Sequence, residues 1–528
     1  MTTISTVMYD LINSNALLVV TAVPLLALLL WRFWRFTIRP LLHPLEPREL
    51  PYWIPYLGHV RSFFKDYNAA LEVGRTYFND TKEPYSVWLA GTRINIVTHP
   101  NDVANCYKNT TTISYHHIIK DMYRYIHVSD EGVEKMFTLD PEAPHNRGQA
   151  KPLMPAYAVN ELHRVQVHPG ENFDDLLHNR FTPGITKCLD FDSALDHPAV
   201  LNRSKDSFTV SSLELCNELF VRGTTEAFLG KSIWKVNPNL LKAFRQWERT
   251  NWKYMFQMPN FMSGDMMAAR DEIIDTFVRY FRLPKEERSD CNLFIREAER
   301  LIREVDISEL DMAKVFMLHF WAILGNIYKV GFWAIAHLAY DPKLLDAIRT
   351  EVSPAMKDGV LKELYLYENC PKVESLVSEM LRMTVASALV REVIAPTDVG
   401  GKILMPGSKL LIPYRQLHLN RDAWGADPLA LDPFRFAANP KMQNSKAYRP
   451  FGGGNTLCPG RFIAKRSMCF AVALLVNKFD LEIDPESRKN GILPPFPKID
   501  TTKPSPGASL PHEGDDVILV LKKRALAS

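Results

Sequence analysis

The sequence predicts a mainly α domain with small β-sheets at its edges, preceded by a single N-terminal transmembrane helix. Three observations carry that expectation. Apolar residues recur at helical spacing over 310–340, 371–384 and 460–478, and these runs outlast any strand-like one. The strand-like runs are short, at 86–89, 93–98, 403–404, 409–412 and 517–521, which suits small sheets beside a helical body. An uncharged apolar stretch, ALLVVTAVPLLALLLW, occupies 16–31.

With 11–15 added, that stretch covers roughly 21 residues, or about 31 Å of helix at 1.5 Å per residue, enough to cross a bilayer. Pro24 is a kink that a membrane helix tolerates. Arg32, Arg35 and Arg39 follow the span, whereas Asp10 lies before it. The excess of positive charge on one side places the N-terminus in the lumen and the rest of the chain in the cytosol. A cleaved signal peptide starts basic and ends in small residues; this run ends in WRFWRF. The expected organisation is therefore a membrane anchor with its basic flank at 1–39, a linker at 40–58 and one large domain at 59–528. Pro40, Pro44, Pro47, Pro51 and Pro55 favour an extended, semi-rigid linker. Trp53, Ile54, Tyr56 and Leu57 are candidates for the bilayer surface.

The chain has 528 residues, 46% hydrophobic and 23% charged, ample for one large core. A formal net charge of +3 without a long Lys/Arg run argues against a nucleic-acid partner. The seven cysteines, at 106, 188, 216, 291, 370, 458 and 469, contain no CxxC pair, so neither a disulfide framework nor a zinc site is expected. Six read as buried, reduced thiols.

Cys458 differs. It lies in PFGGGNTLCPGR (450–461), ahead of the run FIAKRSMCFAVALLVNKF. Three glycines allow a tight backbone and close approach to a flat ligand. A helix beginning near Pro459 would direct its positive end and free N–H groups at the sulfur, favouring a thiolate. Taken alone, this reads equally as a turn beside a buried thiol. Glu379 and Arg382, three apart in LVSEMLRMT, share a helix face, which taken alone is usually a surface ion pair. Asp432-Pro-Phe-Arg435-Phe falls in the irregular, Pro- and Asp-rich segment 422–450.

Together these three segments resemble the cytochrome P450 superfamily. Phe451, Gly454, Cys458 and Gly460 match its Phe-x-x-Gly-x-x-x-Cys-x-Gly loop. Glu379 and Arg382 match its Glu-x-x-Arg pair, and Pro433, Arg435 and Phe436 its Pro-x-Arg-Phe element. The resemblance, from about residue 40 to the C-terminus, implies the cytochrome P450 fold and haem b with Cys458 as the axial ligand to iron. It implies that Arg435 closes a buried triad with Glu379 and Arg382, and that Arg391 meets a haem propionate. A thiolate ligand favours O–O cleavage. The implied partners are NADPH–cytochrome P450 reductase, a hydrophobic small-molecule substrate and a lipid bilayer, that of the endoplasmic reticulum, crossed once. Lys465 and Arg466 read either as a reductase-docking surface or as ordinary solvated residues.

Three departures from the family pattern stand out. Thr456 occupies the loop position usually held by Arg or His. No Trp-x-x-x-Arg occurs around 130–165, where Arg147 or His145 is the available substitute. In the helix expected above the haem, Gly325 and Asn326 replace the usual acid and alcohol. An amide orders water but does not relay a proton as a hydroxyl does. Gly-Asn followed by Phe-Trp, the Cys-Pro-Gly-Arg loop and Gly507…Pro511…Asp515 resemble one clan, which holds sterol 7α- and 12α-hydroxylases, prostacyclin synthase and fungal relatives.

Ala322 and Asn326 are expected to face the haem from above, with 385–389 (VASAL) and 509–510 lining the cavity. Small apolar residues there suit a bulky substrate such as a sterol, terpenoid or polycyclic metabolite, and equally a packed core strand. The expected function is a monooxygenase taking electrons from the reductase; the alternative is a haem-thiolate isomerase or dehydratase that needs none.

Overall fold

The N-terminal helix, Thr21–Leu42, is 22 residues long and none of its apolar window is buried by protein. Its length and hydropathy are enough to cross a membrane. The computed structural model describes residues 21–192, 198–488 and 490–524, so the part of the expected span before Thr21 lies outside the described residues. The helix runs on beyond Trp31, with Pro40 in its last segment, Arg39–Leu42. The basic flank is engaged: Arg35 pairs with Glu49 at 2.9 Å and Arg39 with Glu46 at 2.7 Å. Arg32 donates to the Tyr52 carbonyl and lies 4.0 Å from the Trp53 ring centroid.

The chain divides into two units, Met1–Ser114 with Val390–Ile412, and Tyr115–Leu389 with Pro413–Ser528. The first is built on a six-stranded mixed sheet, ordered Arg48–Glu49, Tyr85–Leu89, Thr92–Ile96, Lys409–Pro413, Ala388–Val393 and Ile113–Ser114. Tyr85–Leu89 and Thr92–Ile96 form its antiparallel hairpin, and Lys409–Pro413 runs parallel to Thr92–Ile96.

The second unit is mainly helical. Five of its helices bear on the site: α1 (Leu240–Met255), α2 (Glu309–Leu324), α3 (Ile327–Tyr340), α4 (Pro371–Thr384) and α5 (Arg461–Lys478). The helical periodicities at 371–384 and 460–478 correspond to α4 and α5. The 310–340 run is broken in two. α2 starts where Ser308 accepts the Asp311 N–H at 3.0 Å, with Glu309 and Asp311 in the first turn facing the positive helix end. It stops at Gly325, and Asn326 leaves helical geometry at φ −131°. α3, α4 and α5 pack on one another, so a single core holds the elements that carry the candidate residues.

An antiparallel four-stranded sheet completes this unit, ordered Phe479–Ile483, Ile518–Lys523, Ser207–Ser211 and Val200–Arg203. The sequence indicated the C-terminal strand but not its partners. Within 422–450 the chain is largely irregular, yet Trp424, Phe436, Ala447 and Tyr448 form a small buried cluster. Aromatic residues give that segment a core of its own.

Candidate active site

Cys458 stands two residues before Gly460, the N-cap of α5, so the helix begins at Arg461 rather than near Pro459. The Cys458 N–H donates to the Phe451 carbonyl at 2.9 Å, closing the loop. Gly452 and Gly454 hold φ of 75° and 59°, a region that strains any residue with a Cβ. Burial raises the Cys458 thiol above its ordinary range; the N–H groups of Gly460 and Arg461 and the Arg461 charge pull it back. Arg461 also donates to the Cys458 carbonyl at 3.0 Å. Such a sulfur ionises when a metal cation binds it.

Glu379 and Arg382 form no surface pair. Both side chains are 0% exposed and meet in a two-point contact of 2.6 and 2.9 Å. The remaining guanidinium donor reaches the carbonyls of His418 at 2.9 Å and Pro428 at 2.7 Å, leaving the buried cation well satisfied. Arg435 approaches Glu379 at 3.4 Å, and the Asp432 N–H adds a 3.3 Å bond to the same carboxylate. The structure thus brings Glu379, Arg382 and Arg435 together.

His418, which no sequence pattern singled out, links this cluster to the cysteine loop. Its Nε2 accepts the Arg449 N–H at 3.0 Å while its carbonyl takes Arg382. Burial and the nearby guanidinium of Arg382 push the imidazole down to about 3, so it stays neutral.

On the α2–α3 side, Ala322 and Asn326 are the two exposed positions between residues 311 and 336. They lie four apart, on one face, in helices that are otherwise covered. The protein leaves that face uncovered. Asn326 is the N-cap of α3, but its side chain does not cap the helix. Its Oδ1 accepts the Ala508 N–H at 2.9 Å instead. The 507–509 segment is stitched down on both sides. The Ala386 N–H donates to the Gly507 carbonyl and the Ser509 N–H to the Thr384 carbonyl, each at 2.9 Å. Trp333 Nε1 donates to the Ser509 carbonyl at 2.9 Å. A Cβ at Gly507 would lie 1.6 Å from Asn326 Oδ1, so any larger residue there has to displace that side chain from its bond to Ala508.

Arg391 lies on the Ala388–Val393 strand in the first unit and donates to the Val390 carbonyl at 2.8 Å. Thr456 donates to the Gly453 carbonyl at 3.3 Å, His145 contacts the Leu153 carbonyl at 3.0 Å, and Arg147 is exposed. Lys465 bonds Glu374 and Gln443, and Arg466 lies over Phe173 and Tyr367, so neither is an ordinary solvated residue. Val385, Ala386, Ser387, Leu389 and Ser509 are buried.

Sequence reading also missed Glu248 on α1 and its partner Lys329 on α3, both buried. A signal was available: Lys329 is the one Lys or Arg in the apolar run 315–340, and a buried ammonium needs a carboxylate.

The residues fit the haem that the sequence resemblance implies. A glycine-lined thiol with two N–H donors supplies the soft, ionisable ligand. The open Ala322/Asn326 face supplies an uncovered apolar and amide surface beside the start of α3, which packs against α5.

Comparison with known proteins agrees with this chemistry. The family description "Cytochrome P450" matches residues 47–510. A cytochrome P450 monooxygenase, poxD of Penicillium oxalicum, is 27% identical over 469 residues, 85% of this chain and 90% of that protein. The 5-beta-cholestane-3-alpha,7-alpha-diol 12-alpha-hydroxylase of Sus scrofa is 26% identical over 40% of this chain and 46% of its own. Prostacyclin synthase of Rattus norvegicus is 26% identical over 43% and 48%, respectively.

Proposed function

The chain belongs to the cytochrome P450 family and is a haem-thiolate monooxygenase; from that premise we propose that it oxidises a bulky hydrophobic substrate, a sterol, terpenoid or polycyclic secondary metabolite. Electrons come from NADPH–cytochrome P450 reductase, and the protein sits on the endoplasmic reticulum membrane, anchored by Thr21–Leu42. The observation that carries the reading is the Ala322/Asn326 opening in otherwise buried helices, paired with a thiol held ready for a metal by α5.

Haem b, when bound, would supply dioxygen activation, a chemistry that a thiolate ligand favours. Cys458 would hold the iron, with Phe451, Gly454 and Gly460 shaping the loop around the sulfur. Glu379, Arg382 and Arg435 lock the core that carries the loop, and Arg391 would neutralise a haem propionate. Ala322, with only a methyl group, leaves room for substrate. Asn326 has its amide oxygen committed to Ala508, which leaves Nδ2 as its donor. An amide N–H2 holds its protons at neutral pH, so Asn326 orients an oxygen atom or a water and does not itself deliver the proton. Proton delivery then passes through water that the side chain orders.

The test is turnover of a lipophilic metabolite library by the membrane-bound protein with reductase, with and without NADPH, under heavy-isotope dioxygen. NADPH-dependent product carrying the heavy oxygen supports the proposal and identifies the substrate class. Product that forms without NADPH and without label would replace it with an isomerase, the chemistry that the absent acid–alcohol pair equally permits.

A further inference from the structure

The Glu248 side chain of α1 is 0% exposed, yet four donors converge on its carboxylate. Trp321 Nε1 at 2.8 Å and Asn251 Nδ2 at 3.0 Å reach Oε1; Lys329 Nζ at 2.6 Å and Tyr328 OH at 3.4 Å reach Oε2. Trp321 belongs to the last turn of α2, whereas Tyr328 and Lys329 belong to the first turn of α3. One carboxylate therefore grips both half-helices across their break. Gly325 lies beneath it: a Cβ there would meet the two carboxylate oxygens at 3.3 and 3.5 Å and the Trp321 carbonyl at 3.1 Å. Lys329 is only 3% exposed, so its charge has this carboxylate where water would otherwise be.

We propose that Glu248 is a positioning residue that holds the α2–α3 break open and so presents Asn326 to the active-site face. The inference rests on the role assigned to Asn326 above. A continuous helix would require φ near −63° at Asn326 rather than the −131° observed, and its amide would leave the Ala508 N–H. Glu248 opposes that closure by fixing the ends on either side. Burying an ion pair costs desolvation that a hydrophobic pair would not, which is a reason to look for a use beyond stability.

The test compares full-length wild type, Asn326→Ala, Glu248→Gln and the apolar pair Glu248→Leu/Lys329→Met. The double variant leaves no unpaired buried charge, so its folding does not depend on the single variant surviving. Amide exchange is measured over 325–330 in purified protein. Dioxygen is the probe of function: peroxide released per NADPH consumed, in reductase-containing membranes without added substrate.

The proposal expects exchange over 325–330 to slow in the double variant as the break closes into continuous helix, while the melting temperature falls because Trp321, Asn251 and Tyr328 lose their acceptor. The double variant's peroxide yield should shift about tenfold, the size usual for outer-shell partners, and in the same direction as Asn326→Ala. Unchanged or faster exchange in the double variant overturns it, as does slower exchange with a wild-type peroxide yield while Asn326→Ala shifts that yield. If Asn326→Ala itself changes nothing, the role given to Asn326 fails first, and the positioning role of Glu248 falls with it.

Discussion

Arg382 makes its four hydrogen bonds inside the protein, two to Glu379 and one each to the carbonyls of His418 and Pro428. Removing it leaves the buried Glu379 carboxylate with only Arg435 at 3.4 Å and the Asp432 N–H at 3.3 Å. Arg382→Met should therefore cost roughly 3–5 kcal/mol, the penalty for breaking a buried pair, read by denaturant unfolding of the haem-loaded protein. Asn326 calls for a different reading. Asn326→Thr brings in a hydroxyl that can pass a proton but is too short to keep the amide's contact with Ala508. The ratio of product to NADPH consumed should change while stability moves by about 1 kcal/mol, the worth of one hydrogen bond. The family resemblance implied that Glu379 and Arg382 are buried in a triad; their i,i+3 spacing alone did not, because spacing says nothing of what covers the face.

At the scale of elements, the α2–α3 break and the 507–509 segment are one construction. Gly325 weakens the helix, Asn326 turns its side chain away from capping, and Gly507 admits that side chain at a distance no Cβ could share. Gly507→Ala should force the two segments apart and cost about 1–3 kcal/mol, as overpacking usually does. It should also alter the NADPH-to-product ratio, since it acts on Asn326; thermal unfolding and coupling measured on the same preparation check both. Helical period over 310–340 was strong enough to indicate one long helix. It could not show the break, because Gly and Asn are tolerated inside helices and only the Ala508 and Glu248 contacts decide otherwise.

For the whole molecule, two properties follow from what is buried and what is not. His319 and His418 are buried, and burial lowers their imidazoles to about 4 and about 3. Both stay neutral when folded but protonate near 6.5 when unfolded. The unfolded state then binds more protons as pH falls, so stability drops below about pH 6.5. The loss is on the order of 1.4 kcal/mol per pH unit for each histidine, continuing toward pH 4. Unfolding midpoints at pH 7.5 and 5.0 should differ accordingly; equal midpoints would contradict these buried neutral rings. In contrast, Val23, Leu25, Leu26, Leu29 and Leu30 are exposed in the N-terminal helix. A chain beginning at Trp31 keeps the Arg35–Glu49 and Arg39–Glu46 pairs. It should load haem normally and shift from the membrane pellet toward the soluble fraction, as sedimentation would show.

The sequence by itself determined the family, the mainly helical class, the apolar N-terminal helix and the cysteine loop. Each is a local pattern, such as an unbroken apolar run, a 3.6-residue period, or a glycine-rich loop around one thiol. It also placed Glu379, Arg382, Arg435 and Asn326 at informative positions. The resemblance implied that the first three meet; only the tertiary structure showed which atoms make those contacts and decided that the long helix breaks. The same holds for Asn326 spending its oxygen on Ala508, and for Glu248 meeting Lys329 across 81 positions of the chain. Those contacts depend on which surfaces the fold brings together, and a buried charge or amide takes whatever partner lies within hydrogen-bond reach, however distant in sequence.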